Sequence, residues 1–260
     1  MLPVLQIGPL ALQTPGLILL AGIWFGLWLA ERSAHRHGIE PSHLYNLALV
    51  ALLSGLVGGR LFYVLFYPSA FAASPRSIFS LNPGLFDIWG AVLASLMAAF
   101  IYGSRKKLSF WPTLDALTPG LAVMTIAISL SNLASGNAFG APTQLPWAIE
   151  LWGALRHPSQ VYEALAALDI LAIVLFMQRS DKVKASGLLF LAFLGLSAGA
   201  RLILEAFRGD SVLLPNGWRM MQISAWLLLS ACLYLIYRRA QIGVKQPDHP
   251  NAQPLDGLKE

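Results

Sequence analysis

The chain is poor in cysteine and in charge. It has one cysteine, Cys232, among 260 residues, which excludes an internal disulfide framework and a multi-cysteine metal site. Charged residues make up 12% of it, against about 25% in soluble domains. Hydrophobic residues make up 56%. The composition therefore predicts a membrane protein, and we expect neither a metal nor a cofactor.

Seven apolar runs are each long enough to cross a bilayer, which needs about 20 residues in a helix. They lie at roughly 15–31, 45–67, 85–103, 115–134, 158–178, 186–207 and 219–237. The fold class that they predict is an all-α integral membrane protein with seven transmembrane helices. We expect one membrane domain over residues 1–240 and a disordered, Pro-rich cytoplasmic tail over residues 241–260.

Basic residues are unevenly divided between the two sides of these runs. Twelve Lys and Arg fall in the first, third and fifth connections and the tail, whereas four fall on the other side. By the positive-inside rule, the N-terminus lies outside and the C-terminus in the cytoplasm. Because the bases cluster at the ends of apolar runs, the net charge of +5 reflects topology, and we expect no nucleic-acid partner.

The stretch RHPSQVYEA at residues 156–164 carries more polar groups than a helix start needs. This stretch begins the fifth run at its outer end. It therefore lies at the same depth as Arg60 in the second run and Arg201 in the sixth. Asn132 ends the fourth run on that side, and Gln222 begins the seventh. A charge inside the membrane costs about 2.5–3.5 kcal/mol or more, so these groups should face one another or a water-filled cavity.

Local spacing places several of these groups on common helix faces. Arg201, Glu205 and Arg208 follow at i, i+4 and i+7, which is one helical stripe. Three arginines, Arg60, Arg201 and Arg208, stand against two carboxylates, Glu163 and Glu205. The sum leaves one positive charge, which suits an anion such as a phosphate. The alternative is structural: Arg201 and Glu205 form an ion pair, and the Arg60 side chain extends to the outer membrane interface.

Two further features allow simpler readings. Asp169, deep in the fifth run and on another face from Glu163, is expected to make a structural hydrogen bond. The connection SGNAFGAPTQLPWAIELWGAL, residues 135–155, is either an interfacial loop held by its tryptophans or a lid that binds substrate, because irregular backbone at membrane depth must line protein or water.

Several motifs together resemble one family, in this order along the seven runs. They are GGRLFYVLFY, GAPTQLPW, RHPSQVYEA and RLILEAFRGD. The chain from about residue 5 to 240 is similar to bacterial prolipoprotein diacylglyceryl transferases. The resemblance implies an enzyme of the bacterial cytoplasmic (inner) membrane that transfers diacylglyceryl from phosphatidylglycerol to the lipobox cysteine thiol of a secreted preprolipoprotein. Its expected partners are phosphatidylglycerol, preprolipoprotein signal peptides and membrane lipids. Glycerol phosphate is the leaving group.

The resemblance also implies roles for individual residues. Arg201 would hold the phosphate, Glu205 would orient Arg201, and Asn132 would position the head group. His157 and Glu163 are the two candidates for the base that takes the thiol proton. As substrate-binding residues we expect Arg60, Gly140, Gln160, Tyr162 and Arg208.

Four positions depart from the family pattern. An arginine three residues before Asn132 is replaced by Ser129, and an acidic residue before Gly140 by Asn137. Pro15 and Trp89 stand where the family has a tyrosine and the histidine of His-Gly-Gly. Arg60 and Arg156 are candidates to replace the missing arginine. Three readings stay open: a divergent transferase, an enzyme with another phospholipid or acceptor, and a lipid-binding protein without catalysis.

Overall fold

The fold is built on seven helices long and apolar enough to cross a membrane. A computed structural model describes residues 4–7, 10–72, 75–79, 85–180 and 185–244. The helices are α1 Thr14–Ala34, α2 Pro41–Phe66, α3 Pro68–Ala72, α4 Ile88–Arg105, α5 Phe110–Ser135, α6 Ser159–Arg179, α7 Leu188–Leu204 and α8 Met220–Val244. All seven predicted spans are confirmed, and α3 is a short helix of five residues directly after α2.

The last span is longer than its sequence suggested. Helix α8 continues to Val244, so the first four residues of the expected tail are helical. The rest of that tail, 245–260, lies outside the described residues.

Two small hairpins accompany the helices. Strands β1 Val4–Ile7 and β2 Leu10–Gln13 pair antiparallel before α1. Strands β3 Ile149–Leu151 and β4 Ala154–Arg156 pair within the long connection before α6. Their two-residue turn, Trp152 and Gly153, has positive φ angles of 56° and 72°, as hairpin turns matched to the strand twist require.

The helices pack as a chain of neighbours. Helix α4 packs on α2, α1 packs extensively on α5, and α5, α6, α7 and α8 follow one another. Contacts between α1 and α2 are few by comparison. The site described below lies where α6 begins and α7 ends.

Small residues allow the two closest helix pairs to approach. A Cβ on Gly58 of α2 would lie 2.2 Å from the Cβ of Ala94 on α4, and one on Gly22 of α1 would lie 2.3 Å from the Cβ of Ala127 on α5. In lipid, helix association depends on such close packing because the solvent is itself apolar. Ala91 and Ser95 of α4 likewise lie close to Gly59 and Gly55 of α2.

The two aspartates within the spans, Asp115 and Asp169, differ in burial and in hydrogen bonding. Asp115 is 3% exposed and accepts hydrogen bonds from the N–H groups of Gly187 and Phe190, the latter at 2.9 Å, which satisfies orphan donors at the start of α7. Asp169 is exposed on α6 and makes no hydrogen bond or ion pair within the described residues. The structural hydrogen bond expected for Asp169 is therefore wrong within the described residues, because the side chain is exposed and not buried against a neighbouring helix.

We expect Asp115→Ala to lower the free energy of unfolding by about 2–3 kcal/mol, because two buried N–H groups lose a charged acceptor. Asp169→Ala should leave it unchanged or raise it slightly. The thermal unfolding midpoint in detergent, compared for the two variants, measures this. Equal midpoints for both would contradict the capping role of Asp115.

Candidate active site

Arg201 lies at the centre of a cluster of charges between two helices. Its Nη1 is 3.0 Å from Oε1 of Glu163 on α6, and its Nη2 is 2.9 Å from Oε2 of Glu205. Glu205 is 1% exposed and begins the 3₁₀ turn that follows α7. Of the five donors of this guanidinium, two therefore face carboxylates and three remain for other acceptors.

Arg208 completes the cluster from the other side of Glu163. Its Nη1 donates to the same Oε1 of Glu163 at 2.8 Å, and its Nε and Nη2 donate to Asp210 at 2.9 and 2.6 Å. Burial disfavours the charged form, but the hydrogen bonds to Asp210 and Glu163 outweigh it and raise the pKa of Arg208. The guanidinium is thus permanently charged, and Glu163 bridges two cations.

The cluster is electrically balanced. Arg201 and Arg208 face three carboxylates, those of Glu163, Glu205 and Asp210. A third cation, Arg219, donates through Nη1 to the carbonyl oxygens of residues 205 and 208 and to a serine hydroxyl. The expected surplus of one positive charge is therefore wrong for this group of residues.

The structure does not bring Arg60 to the cluster. Its Nε and Nη1 donate to the carbonyl oxygens of Ile78 and Leu85 at 2.7 and 2.6 Å, and its Nη2 donates to that of Ser77. The guanidinium also lies near the rings of Phe71 and Phe86. Arg60 thus ties down the connection between α2 and α4.

Arg201 borders a cavity of about 170 Å³ that is lined by both polar and apolar residues. Its hydroxyl-bearing lining residues are Thr125, Ser129 and Ser197. Ser129 Oγ donates to the carbonyl of Thr125 at 3.1 Å, within its own helix. Ser129, which stands where the family resemblance leads one to expect an arginine, therefore shares a cavity with Arg201.

A short ladder of backbone joins the cluster to the β3–β4 hairpin. Gly140 pairs with Arg208, and Pro142 pairs with Arg156 of β4. The N–H of Ala141 donates to the carbonyl of Phe207 at 2.8 Å. The connection before α6 is thus an ordered, sheet-like layer, and it holds the segment that carries Arg208.

Gly140 is needed for this contact. A Cβ at Gly140 would lie 2.1 Å from the carbonyl oxygen of His157, closer than any side chain tolerates. Nη1 of Arg156 also donates to the carbonyl of Gly140, at 3.2 Å, while its Nε donates to that of Leu151 at 3.0 Å. Arg156 therefore braces the loop and is not placed in the cavity beside Arg201.

His157 lies in an aromatic group next to the cluster. Its Nδ1 is 3.4 Å from the hydroxyl of Tyr162, which accepts a hydrogen bond from Nε1 of Trp147 at 2.7 Å. The ring of Phe207 packs on both His157 and Tyr162. Because Phe207 directly precedes Arg208, this aromatic group adjoins the charges without bonding to them.

The remaining predicted residues lie around the cluster. Gln160 is fully buried, and its Nε2 donates to the carbonyl of Asn137 at 2.7 Å. Asn132 is half-buried near the end of α5, and its side chain makes no hydrogen bond within the described part of the chain. Asn132 does not line the cavity beside Arg201.

The other departures from the family pattern lie apart from the cluster. Trp89 is 79% exposed on α4, and the carbonyl of Pro15 accepts a hydrogen bond from Ser131 at 3.2 Å. Sequence reasoning missed Asp210 and Arg219. The only signal for Asp210 was its position two residues after Arg208, and Arg219 looked like a base at the start of a span.

These features define a class: polytopic membrane proteins with an arginine–carboxylate cluster facing a cavity between helices. A sequence model of prolipoprotein diacylglyceryl transferases matches residues 3–238, and the chain belongs to this family.

Curated relatives agree with that assignment over most of their length. A phosphatidylglycerol–prolipoprotein diacylglyceryl transferase of Bordetella parapertussis is 32% identical over 248 residues, 90% of this chain and 94% of the relative. The enzyme of that name from Thermosynechococcus vestitus is 26% identical over 254 residues, 94% of each chain. One from Synechocystis sp. is 30% identical over 224 residues, 80% of this chain and 79% of the relative.

We expect Gly140→Ala to destabilise the protein by about 1–3 kcal/mol or more, because the added methyl overpacks the contact with His157. Gly16→Ala is the matched control, since a Cβ there meets nothing within 4 Å. The melting temperature of each variant in detergent provides the comparison. Normal stability of Gly140→Ala would mean that the loop can shift away from His157.

Proposed function

We propose that this protein transfers the diacylglyceryl group of phosphatidylglycerol to the cysteine thiol of a prolipoprotein, at the outer side of a bacterial cytoplasmic membrane. Family membership over nearly the whole chain supports the reaction, and the cluster around Arg201 supports the site. The thiol sulfur attacks the phosphate-bearing carbon of the diacylated glycerol, so that the bond between this carbon and the phosphate oxygen is the one that breaks. Glycerol phosphate leaves, and the thiol proton passes to a base.

Arg201 is the residue to which we assign the phosphate. It has three donors left after its two ion pairs, it borders the cavity, and it is 30% exposed. A planar guanidinium can hold two phosphate oxygens at once, and a fixed donor aimed at the leaving oxygen stabilises the charge that develops there. Glu205, buried beneath it, orients the fork.

The electrical balance of the cluster constrains how the lipid binds. Without Arg219, the cluster has two cations and three carboxylates, and its net negative charge would repel a phosphate. Arg219 adds a third cation, so the cluster as a whole is neutral. Binding therefore depends on the directed N–H groups of Arg201 rather than on a positive field. We assign Arg208 to holding Glu163 in place.

The proton acceptor and the head-group contacts are assigned by position. Glu163 lines the cavity beside Arg201, so it reaches a thiol there directly. His157, which lies within hydrogen-bond distance of Tyr162 and does not line this cavity, is the second candidate for the base. Asn132, whose amide is not engaged within the described residues, is assigned to the glycerol head group, while Gly140 and Gln160 hold the loop that precedes α6.

The test is a transfer reaction with purified protein, phosphatidylglycerol and a lipobox peptide. We expect release of glycerol phosphate and a diacylglyceryl mass shift on the peptide. Binding of phosphatidylglycerol without either product would instead favour a relative that has lost catalysis, a reading motivated by Ser129 in place of an arginine.

We expect Arg201→Ala to reduce transfer by at least about 100-fold, because a fixed donor to the leaving group is lost. Arg201→Lys should fail as well, since an ammonium lacks the planar fork. Arg105→Ala, at the far end of α4, serves as the control with the same loss of charge. Wild-type rates in either Arg201 variant, with intact folding, would exclude the phosphate role.

We expect Glu205→Gln to retain more activity than Glu205→Ala, because an amide can still accept a hydrogen bond from Arg201. The kcat for transfer, measured at saturating lipid, separates orientation from binding. Equal losses in the two variants would show that Glu205 acts through its charge.

A further inference from the structure

A second, larger cavity lies at the opposite end of the bundle from the cluster. Its volume is about 940 Å³, within the range of small-molecule sites. It is bounded by the end of α6, the start of α7, the start of α5 and the 3₁₀ turn after α1. The asymmetry of basic residues assigns this end to the cytoplasm.

Two arginines from different elements line this cavity. Arg36 is exposed and uses one N–H group on the carbonyl of Gln178, at 3.1 Å. Arg179 is exposed and makes no hydrogen bond or ion pair within the described residues. A third cation, Arg239, stands at the rim, where it donates to the carbonyl of Ser186.

Within the described lining of the cavity, no unengaged carboxylate balances this positive charge. Asp115 is the one carboxylate among the described lining residues. Both of its oxygens already accept hydrogen bonds, from the N–H groups of Gly187 and Phe190. Among the described residues, Arg36 donates one hydrogen bond and Arg179 none, so most donors of these two guanidinium groups are unused there.

We propose that this cavity binds a phosphate group. Arginine's fork matches phosphate oxygens two at a time, and basic pockets between helix ends on the cytoplasmic side take up anionic lipid head groups. The same chemistry would accept a phospholipid from the inner leaflet or a free phosphate. Neither arginine touches the cluster around Arg201, so this site is separate from the proposed reaction.

Native mass spectrometry of the protein in a neutral detergent tests the site. The probes are dioctanoyl phosphatidic acid, dioctanoyl phosphatidylcholine and inorganic phosphate. We expect Arg36→Gln with Arg179→Gln to weaken binding of one phosphatidic acid molecule by at least tenfold. Arg179→Gln alone should weaken it less, and it removes no contact of the described fold.

A matched control removes equal charge elsewhere on the same face. Arg105→Gln with Lys106→Gln, at the end of α4, should leave binding unchanged. If the Arg36 and Arg179 double variant loses binding of phosphatidic acid alone, the site takes a lipid head group. If it also loses binding of inorganic phosphate, the site takes a free anion.

Two results would overturn the proposal. One is unchanged binding of every probe in the double variant, and the other is an equal loss in the control, which would indicate unspecific attraction. Transfer activity should be the same in all these variants, so failure of this site and failure of the proposed function are separately visible.

Discussion

The carboxylate of Glu163 holds two arginines of the neighbouring chain segment, and the arrangement of the site depends on that contact. Its Oε1 lies within 3.0 Å of Arg201 and 2.8 Å of Arg208, and this joins α6 to the end of α7. Unpaired, each of these charges would be costly at membrane depth. Pairing also leaves Arg201 with a fixed direction and with unused donors, which is what recognition of an oxyanion requires.

The ladder from β4 through Gly140 to Arg208 gives the cluster a rigid wall. Backbone groups that would be unsatisfied in lipid are paired across it. This explains why so irregular a connection can lie beside the spans. Packing of Phe207 on His157 and Tyr162 then ties the aromatic group to the same wall.

Much of the fold was predictable because spans depend on composition, which is local. The seven helices and the ion pair of Arg201 with Glu205 follow from run length and from the 3.6-residue period. The prediction that Arg208 continues the same helical stripe is wrong, because α7 ends at Leu204 and Arg208 has extended backbone after the 3₁₀ turn. The position of Arg60 was not predictable in the same way. Its depth matched that of Arg201, but depth says nothing about direction around a helix, and Arg60 turns to backbone carbonyls between α2 and α4.

The site was predictable only in part for a related reason. Asp210 and Arg219 enter it through a turn and a loop after α7, where no periodicity indicates which side chains meet. The β3–β4 hairpin was missed because its strands are three residues long. Such strands carry too few residues for an alternating pattern to show.

The pair formed by α2 and α4 is joined to the rest of the bundle mainly through α1. A hydrogen bond from Tyr45 to Glu31 and a small apolar cluster with Leu44 and Ala34 lie at the end of that contact nearest the chain connection. Among the described residues, no hydrogen bond joins α1 to α2 at the opposite end of this contact, on the side of Arg201. Attachment of α2 and α4 to the rest of the bundle therefore depends on apolar packing there, a contact that in a membrane has no hydrophobic driving force behind it.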